Sequence, residues 1–436
     1  MKRKITSDLI RWKNNDKRKP LLIHGARQVG KTYIIQEFAK EYYEDYVYVN
    51  FDTNKSFDDL FAKNINPDYI ISQLEKFFGK KIEAGKTLII FDEIQASERA
   101  LNSLKYFCED ARDQHIIAAG SLLGVAINRE KFSFPVGKVD VMNLYPMDFE
   151  EFLLANNKDA LINEIKECYK TTKQMSGTLH DMAIDLYKQY LIVGGMPEAV
   201  QGFINEESEL AAQNIIGTIT DNYIADMSKY ATKTESVKIM ATFESIPAQL
   251  AKENRKFQYK IVQKGGTANM YGEAIAWLTA AGMILKCNKV STALHPLNAY
   301  QDLTSFKIYA SDPGILTLKS GYNLFSILES NNNLFLGAIV ENYVANALRS
   351  NGFDLKYWES SGKAEVDFLI ESGDKVIPIE VKAGDNTKSR SLSVYKDNYQ
   401  PLYSIRVSTK NFGFVNNIKS VPLYAVFCIQ KENLDL

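Results

Sequence analysis

Gly25-Ala26-Arg27-Gln28-Val29-Gly30-Lys31-Thr32 directly follows the apolar run Leu21-Leu22-Ile23 and directly precedes a helix-like segment over residues 33–40. The octet reads G-x-x-x-x-G-K-[ST] between a strand and a helix, the context a phosphate-binding loop needs. Glycines let the backbone curl until several N–H groups face one anion, and the next helix adds its positive end. Lys31 is placed to reach β- and γ-phosphates, and the Thr32 hydroxyl to complete Mg²⁺ coordination. Gly25, Ala26, Arg27, Gln28, Val29, Gly30, Lys31 and Thr32 are therefore expected to bind ATP with Mg²⁺.

The flanks support a parallel α/β core. Before the loop, a charged helix over 8–15 ends in an Asn-Asn-Asp turn. After it, alternating β-branched and aromatic residues predict a strand over 46–51, and helices are expected over 56–63 and 67–80. Thr87-Leu88-Ile89-Ile90-Phe91-Asp92-Glu93 is a continuous apolar run, as in a strand buried on both faces. It ends in two acids, at the strand end where ligands of parallel sheets bind. Asp92 is expected to hold the Mg²⁺ shell and Glu93 to polarise the attacking water. A further strand over 115–119 runs into Gly120-Ser121. There Ser121 either contacts the γ-phosphate or the attacking water, or caps a helix beginning at Leu122.

The loop, Phe91-Asp92-Glu93-Ile94-Gln95, Gly120-Ser121 and Leu144-Tyr145-Pro146-Met147-Asp148-Phe149-Glu150-Glu151-Phe152 together resemble one family. It is the bacterial and archaeal AAA-type ATPases that carry a C-terminal domain of unknown function. Tyr190-Leu191-Ile192-Val193-Gly194-Gly195-Met196-Pro197 and Ile308-Tyr309-Ala310-Ser311-Asp312-Pro313-Gly314 fit the same family, so the resemblance covers nearly the whole chain. It implies an ATPase core of the additional-strand, catalytic-glutamate type, with Ser121 as the sensor. Relatives usually carry Gly-Arg before the strand leading to Leu-Tyr-Pro, where this chain has Gly137-Lys138. Lys138 can neutralise charge but lacks the planar fork of arginine. A trans-acting arginine finger, and with it a homo-oligomer, is left open, with Arg129 the nearest alternative.

Downstream, the expected plan is a P-loop NTPase core over 1–150, a helical lid over 151–235, a winged-helix-like linker over 236–320 and a restriction-endonuclease-like α/β domain over 321–436. In the lid, helices are expected over 149–155 and 181–190. Gly194-Gly195-Met196-Pro197 reads as a tight turn packing the lid on the ATPase core, and lid closure over nucleotide would give hydrolysis a mechanical output. Helices over 236–254, 259–263 and 268–281, followed by a strand from Met283, make the winged-helix plan. Its basic residues Lys252, Arg255, Lys256, Lys260 and Lys264 suit backbone contacts to DNA better than base reading, and a purely structural linker is the alternative.

The C-terminal stretch carries a second constellation. A helix with Glu341 on it precedes strands over 356–358, 364–370 and 376–382, with Asp367 thirteen residues before Glu380-Val381-Lys382. This is the D…E-x-K spacing of restriction-endonuclease-like, PD-(D/E)xK, nucleases. Asp367 and Glu380 would converge on one Mg²⁺ from adjacent strands, Glu341 would add an outer carboxylate, and Lys382 would activate the water. Glu380 and Lys382, two apart on a strand, share a face. Asn331-Asn332-Asn333 reads as a turn at the entry to this domain. Two functions follow: an ATPase that works on DNA through a cutting or gripping C-terminal domain, or a nucleotide-dependent switch whose C-terminal domain is a catalytically silent scaffold.

Composition sets the outer limits. At 436 residues the chain exceeds one ordinary core. A net charge of −1 gives no global pull toward nucleic acid or membrane. Cys108, Cys168, Cys287 and Cys428 lie far apart without C-x-x-C spacing, which argues against a zinc cluster or a disulfide framework. The basic start lacks an apolar h-region, no run of about 18 apolar residues occurs, and no lipidation signal or internal repeat is present. The expectation is a soluble, cytoplasmic protein with no membrane partner.

Overall fold

The computed structural model describes residues 1–121, 135–329, 334–360, 362, 364–384 and 390–434. Leu122, Arg129 and the Asn331–Asn333 turn therefore lie outside the described residues. The chain divides into two compact units, one of residues 2–145 with 280–282, the other of Met1, 146–279 and 283–436.

The first unit opens with α1 (Ile5–Lys13), followed by β1 (Leu21–His24), α2 (Lys31–Tyr42) and β2 (Asp45–Asn50). Then come α3 (Ser56–Lys63), α4 (Pro67–Phe78), β3 (Thr87–Asp92), α5 (Glu98–Asp110), β4 (Ile116–Gly120) and β5 (Asp140–Asn143). The strands form one sheet in the order β2-β3-β4-β1-β5, and every pairing is parallel. All six residues of β3 and all five of β4 are buried. That is why these strands read as unbroken apolar runs: helices cover both faces of a parallel sheet. β4 lies between β1 and β3, so the phosphate-loop strand and the acidic strand end side by side across one intervening strand. Phe57, Phe61, Ile70 and Leu74 pack with Phe91 and Phe107, and burying each such side chain contributes roughly 1.5–3 kcal/mol. α4 stops at Phe78, short of the expected residue 80, because Gly79 turns left-handed at φ +66° and closes the last turn.

In the second unit, helices span Phe149–Ala155, Asp159–Thr171, Gly177–Val193, Pro197–Glu206 and Glu209–Tyr230. The Gly194-Gly195 turn packs on Met147 and Asp312. A Cβ on Gly195 would lie 1.9 Å from the Met147 carbonyl oxygen, and Gly195 N–H donates to Asp312 Oδ2 at 2.6 Å. Met147 falls inside the 1–150 span expected for the ATPase core and Asp312 outside it, and both share a compact unit with the turn. The helix expected over 236–254 is two helices, Lys233–Glu244 and Ile246–Leu250. Pro247, in the first turn of the second, has no N–H to continue the first.

The remaining strands are β6 (Ile284–Val290), β7 (Gln301–Ala310), β8 (Lys356–Glu359), β9 (Glu365–Ser372) and β10 (Lys375–Val381), then β11 (Ser404–Ser408), β12 (Gly413–Val415) and β13 (Ile418–Pro422). They form one mixed sheet in the order β12-β13-β11-β10-β9-β8-β6-β7. With the first helix split, four helices (Lys233–Glu244, Ile246–Leu250, Tyr259–Val262 and Ala268–Ala280) precede the β6–β7 hairpin, and that hairpin is no free wing. β6 pairs in parallel with β8, Val290 opposite Trp358, so one sheet runs across the expected 320/321 boundary. All four cysteines are free and buried. Among the described residues no helix is long and apolar enough to cross a membrane.

Candidate functional site

Two left-handed residues, Gln28 at φ +65° and Gly30 at φ +90°, curl the loop between β1 and α2. The first glycine is needed for a different reason: a Cβ on Gly25 would sit 2.2 Å from the Leu144 carbonyl oxygen. Lys31 folds back over the loop, its Nζ donating to the carbonyls of Gly25 at 2.8 Å and Ala26 at 2.7 Å. Burial pushes the Lys31 ammonium down to about 8, against the raising effect of Glu93 and Asp92. Arg3 ties the loop down from α1's leading edge. Its guanidinium donates to Val29 O at 2.9 Å and Tyr145 O at 2.7 Å.

Thr32 Oγ1 donates to Asp92 Oδ2 at 2.8 Å. The same oxygen accepts from the Tyr48 hydroxyl at 2.6 Å, and Asn50 Nδ2 donates to Tyr48 at 3.2 Å. Glu93 stands in the left-handed region at φ +51°, which turns the chain sharply after β3. Gln95 Nε2 and Ser121 Oγ both donate to Glu93 Oε2, the serine at 3.5 Å. Thus Lys31, Thr32, Asp92, Glu93 and Ser121 lie together at the carboxyl edge of the parallel sheet. Thr32 and Asp92 are hard oxygen donors in hydrogen-bond contact, a fit for Mg²⁺, which takes one or two protein oxygens and completes its shell with phosphate and water. Lys138 pairs instead with Glu109 on the surface, Nζ to Oε1 2.7 Å.

In the C-terminal constellation Asp367 and Glu380 stand on adjacent strands. β9 and β10 are antiparallel with Phe368 opposite Ile379. Asp367 Oδ2 accepts from Val381 N–H at 2.8 Å, and Lys382 Nζ lies 2.5 Å from Glu380 Oε1. Glu341 is taken up elsewhere. Its buried carboxylate accepts from Lys307 Nζ at 3.0 Å and the Tyr309 hydroxyl at 2.6 Å, and forms an ion pair with Arg255. Among the described residues no group of three or more His, Cys, Asp or Glu is placed to hold a metal ion. Of the expected metal set of Glu341, Asp367 and Glu380, Glu341 is thus already engaged by two cations and a hydroxyl. Two expected DNA-facing cations are also engaged, Arg255 with Glu341 and Lys256 with Glu359 at 2.5 Å.

Sequence reasoning missed Arg3, Tyr48, Asn50, Gln95 and Lys307. The signal for Tyr48 and Asn50 was there, since residues two apart on a strand share a face. Nothing local announces Arg3 or Lys307, whose partners lie far along the chain.

The fold and site define a P-loop nucleotide-binding class, and residues 17–153 match the family model of an AAA domain. Residues 184–323 and 336–426 match two domains of unknown function. One uncharacterized protein of Methanocaldococcus jannaschii is 25% identical over 240 residues, covering 51% of this chain and 47% of the relative. The chain thus spans about half that relative's length. A second from the same organism is 22% identical over 404 residues, 89% of this chain and 80% of the relative. Among solved structures, a Walker-type ATPase of Pyrococcus abyssi is similar with a TM-score of 0.43 and 13% identity, over 73% of this chain and 95% of that one.

Proposed function

We propose that the chain binds and hydrolyses ATP at the 25–32 loop, and that its C-terminal sheet is a binding or coupling module rather than a nuclease. The observation that carries the first half is the contact of Thr32 Oγ1 with Asp92 Oδ2 at 2.8 Å, with Glu93 next along the chain. Lys31 is satisfied by two loop carbonyls; a triphosphate offers it charged acceptors instead, as loop N–H groups and the start of α2 face the anion. Mg²⁺, when bound through Thr32 and Asp92, neutralises charge on the phosphate oxygens. Glu93 Oε2 takes the proton of the attacking water as its oxygen bonds to the γ-phosphorus and the bond to the bridging oxygen breaks. Gln95 and Ser121 hold that oxygen of Glu93, which orients the base before nucleotide arrives.

The second half rests on Glu341, whose charge is already balanced by Lys307 and Arg255. Lys31→Ala should abolish nucleotide binding and turnover, and Glu93→Gln should bind ATP but hydrolyse it slowly; normal turnover in both refutes the ATPase reading. Plasmid incubated with Mg²⁺ and wild type should be nicked no faster than with Glu380→Ala or Lys382→Ala. Nicking that both substitutions remove would restore the nuclease reading.

A further inference from the structure

Asp92 is held from the neighbouring strand as well as from the loop. β2 and β3 pair in parallel with Asn50 opposite Asp92, and Tyr48 and Asn50 share a face of β2. Asp92 Oδ2 accepts two hydrogen bonds, from Thr32 Oγ1 at 2.8 Å and from the Tyr48 hydroxyl at 2.6 Å. Oδ1 accepts from the Glu93 N–H at 3.0 Å. Asn50 Nδ2, 3.2 Å from the Tyr48 oxygen, occupies that oxygen as an acceptor and leaves the phenolic proton to Asp92. The carboxylate plane of Asp92 is thereby fixed from three sides.

We propose that Tyr48, held by Asn50, is a positioning residue for metal-dependent nucleotide binding: it fixes Asp92 so that Thr32 spends its proton on the carboxylate and keeps its oxygen lone pairs for the cation. This rests on the ATP reading of the 25–32 loop. A tyrosine that only packed against β3 would affect folding, and would act equally with and without metal. A residue acting through Asp92 and Thr32 affects only the metal-dependent part.

The test uses the full chain as wild type, Tyr48→Phe, Asn50→Ala and Lys31→Ala, with a fluorescent ATP analogue titrated first in EDTA and then against Mg²⁺. In EDTA, Tyr48→Phe should bind within about twofold of wild type. The Mg²⁺ concentration giving half of the affinity gain should rise about tenfold, as befits loss of a hydrogen bond to a charged group. Asn50→Ala should move it the same way by less. An unchanged Mg²⁺ midpoint in Tyr48→Phe overturns the proposal, as does an equal loss of affinity in EDTA, or a wild type indifferent to Mg²⁺. The underlying reading fails separately: a wild type that binds no analogue, or a Lys31→Ala that binds it normally, refutes the loop assignment and the Tyr48 proposal with it. Wild-type binding lost in Lys31→Ala, with an unmoved Tyr48→Phe midpoint, refutes Tyr48 alone.

Discussion

Replacing Glu341 with glutamine separates two incompatible roles for that residue by the sign of a stability change. Glu341 is 1% exposed, its partner Lys307 is fully buried, and Arg255 and Tyr309 converge on the same carboxylate. Glu341→Gln keeps the volume and an acceptor for Tyr309 but leaves two cations facing a neutral amide. Removing one partner of a buried ion pair costs about 3–5 kcal/mol. Lys307 retains Glu365 as a second partner, so the low end, about 3 kcal/mol, is the expectation. With m between about 1 and 3 kcal/mol per molar urea, the unfolding midpoint should fall by about 1–3 M. The chain has two units, so this midpoint is that of the unit carrying β7, not of the whole chain. The readout is the loss of sheet structure and tyrosine environment around β7, followed by hydrogen exchange of β7 and β9 amides across a urea series in EDTA. A companion variant, Glu341→Gln with Lys307→Met, should recover part of the loss, because an apolar pair costs less than one stranded charge. Were Glu341 a ligand awaiting a metal, the same substitution would relieve repulsion with Asp367 and Glu380 and raise the midpoint. An unchanged or raised midpoint in EDTA refutes the reasoning.

Gly25→Ala places a Cβ 2.2 Å from a backbone oxygen that cannot swing away; it should destabilise by about 1–3 kcal/mol, as overpacking does, and weaken nucleotide affinity at least as much as it lowers the melting point. Burial lowers the Lys31 ammonium to about 8, so above that pH it is largely neutral, and triphosphate binding should restore its charge by proton uptake. Affinity should therefore fall as pH rises beyond 8, and calorimetry in two buffers of different ionisation enthalpy should show uptake in wild type; none at pH 8.5–9 would remove the argument. Lys138 is committed to Glu109 on an exposed surface, so Lys138→Ala should leave ATP turnover within about twofold; a hundredfold loss would make it part of the site.

The parallel core was legible because its determinants are local. Burial on both faces forces β3 and β4 to be apolar throughout, and the loop's need for left-handed residues at Gln28 and Gly30 and a close approach at Gly25 leaves a pattern readable in eight positions. Lys31, Thr32, Asp92, Glu93 and Ser121 then follow, because strands that begin from one sheet deliver their ends to one edge. The split at Pro247 and the stop at Gly79 were equally local, though the helix periodicity ran through both.

What tertiary structure alone decided is which charge meets which. Glu341 reads as one acid of a metal set, but Lys307 and Arg255 come from far earlier in the chain to neutralise it. β6–β7 reads as a wing, but pairing with β8 depends on a strand more than sixty residues downstream. Tyr48 reads as one more alternating aromatic until β2 lies beside β3 and its hydroxyl reaches Asp92. Hydrophobic periodicity is a property of neighbours along the chain, whereas electrostatic pairing is set by short distances in space that the chain order does not encode. The sequence by itself therefore determined the sheet and the phosphate-loop pattern, and only the folded contacts decided which of its acids stand beside that loop and which face a lysine.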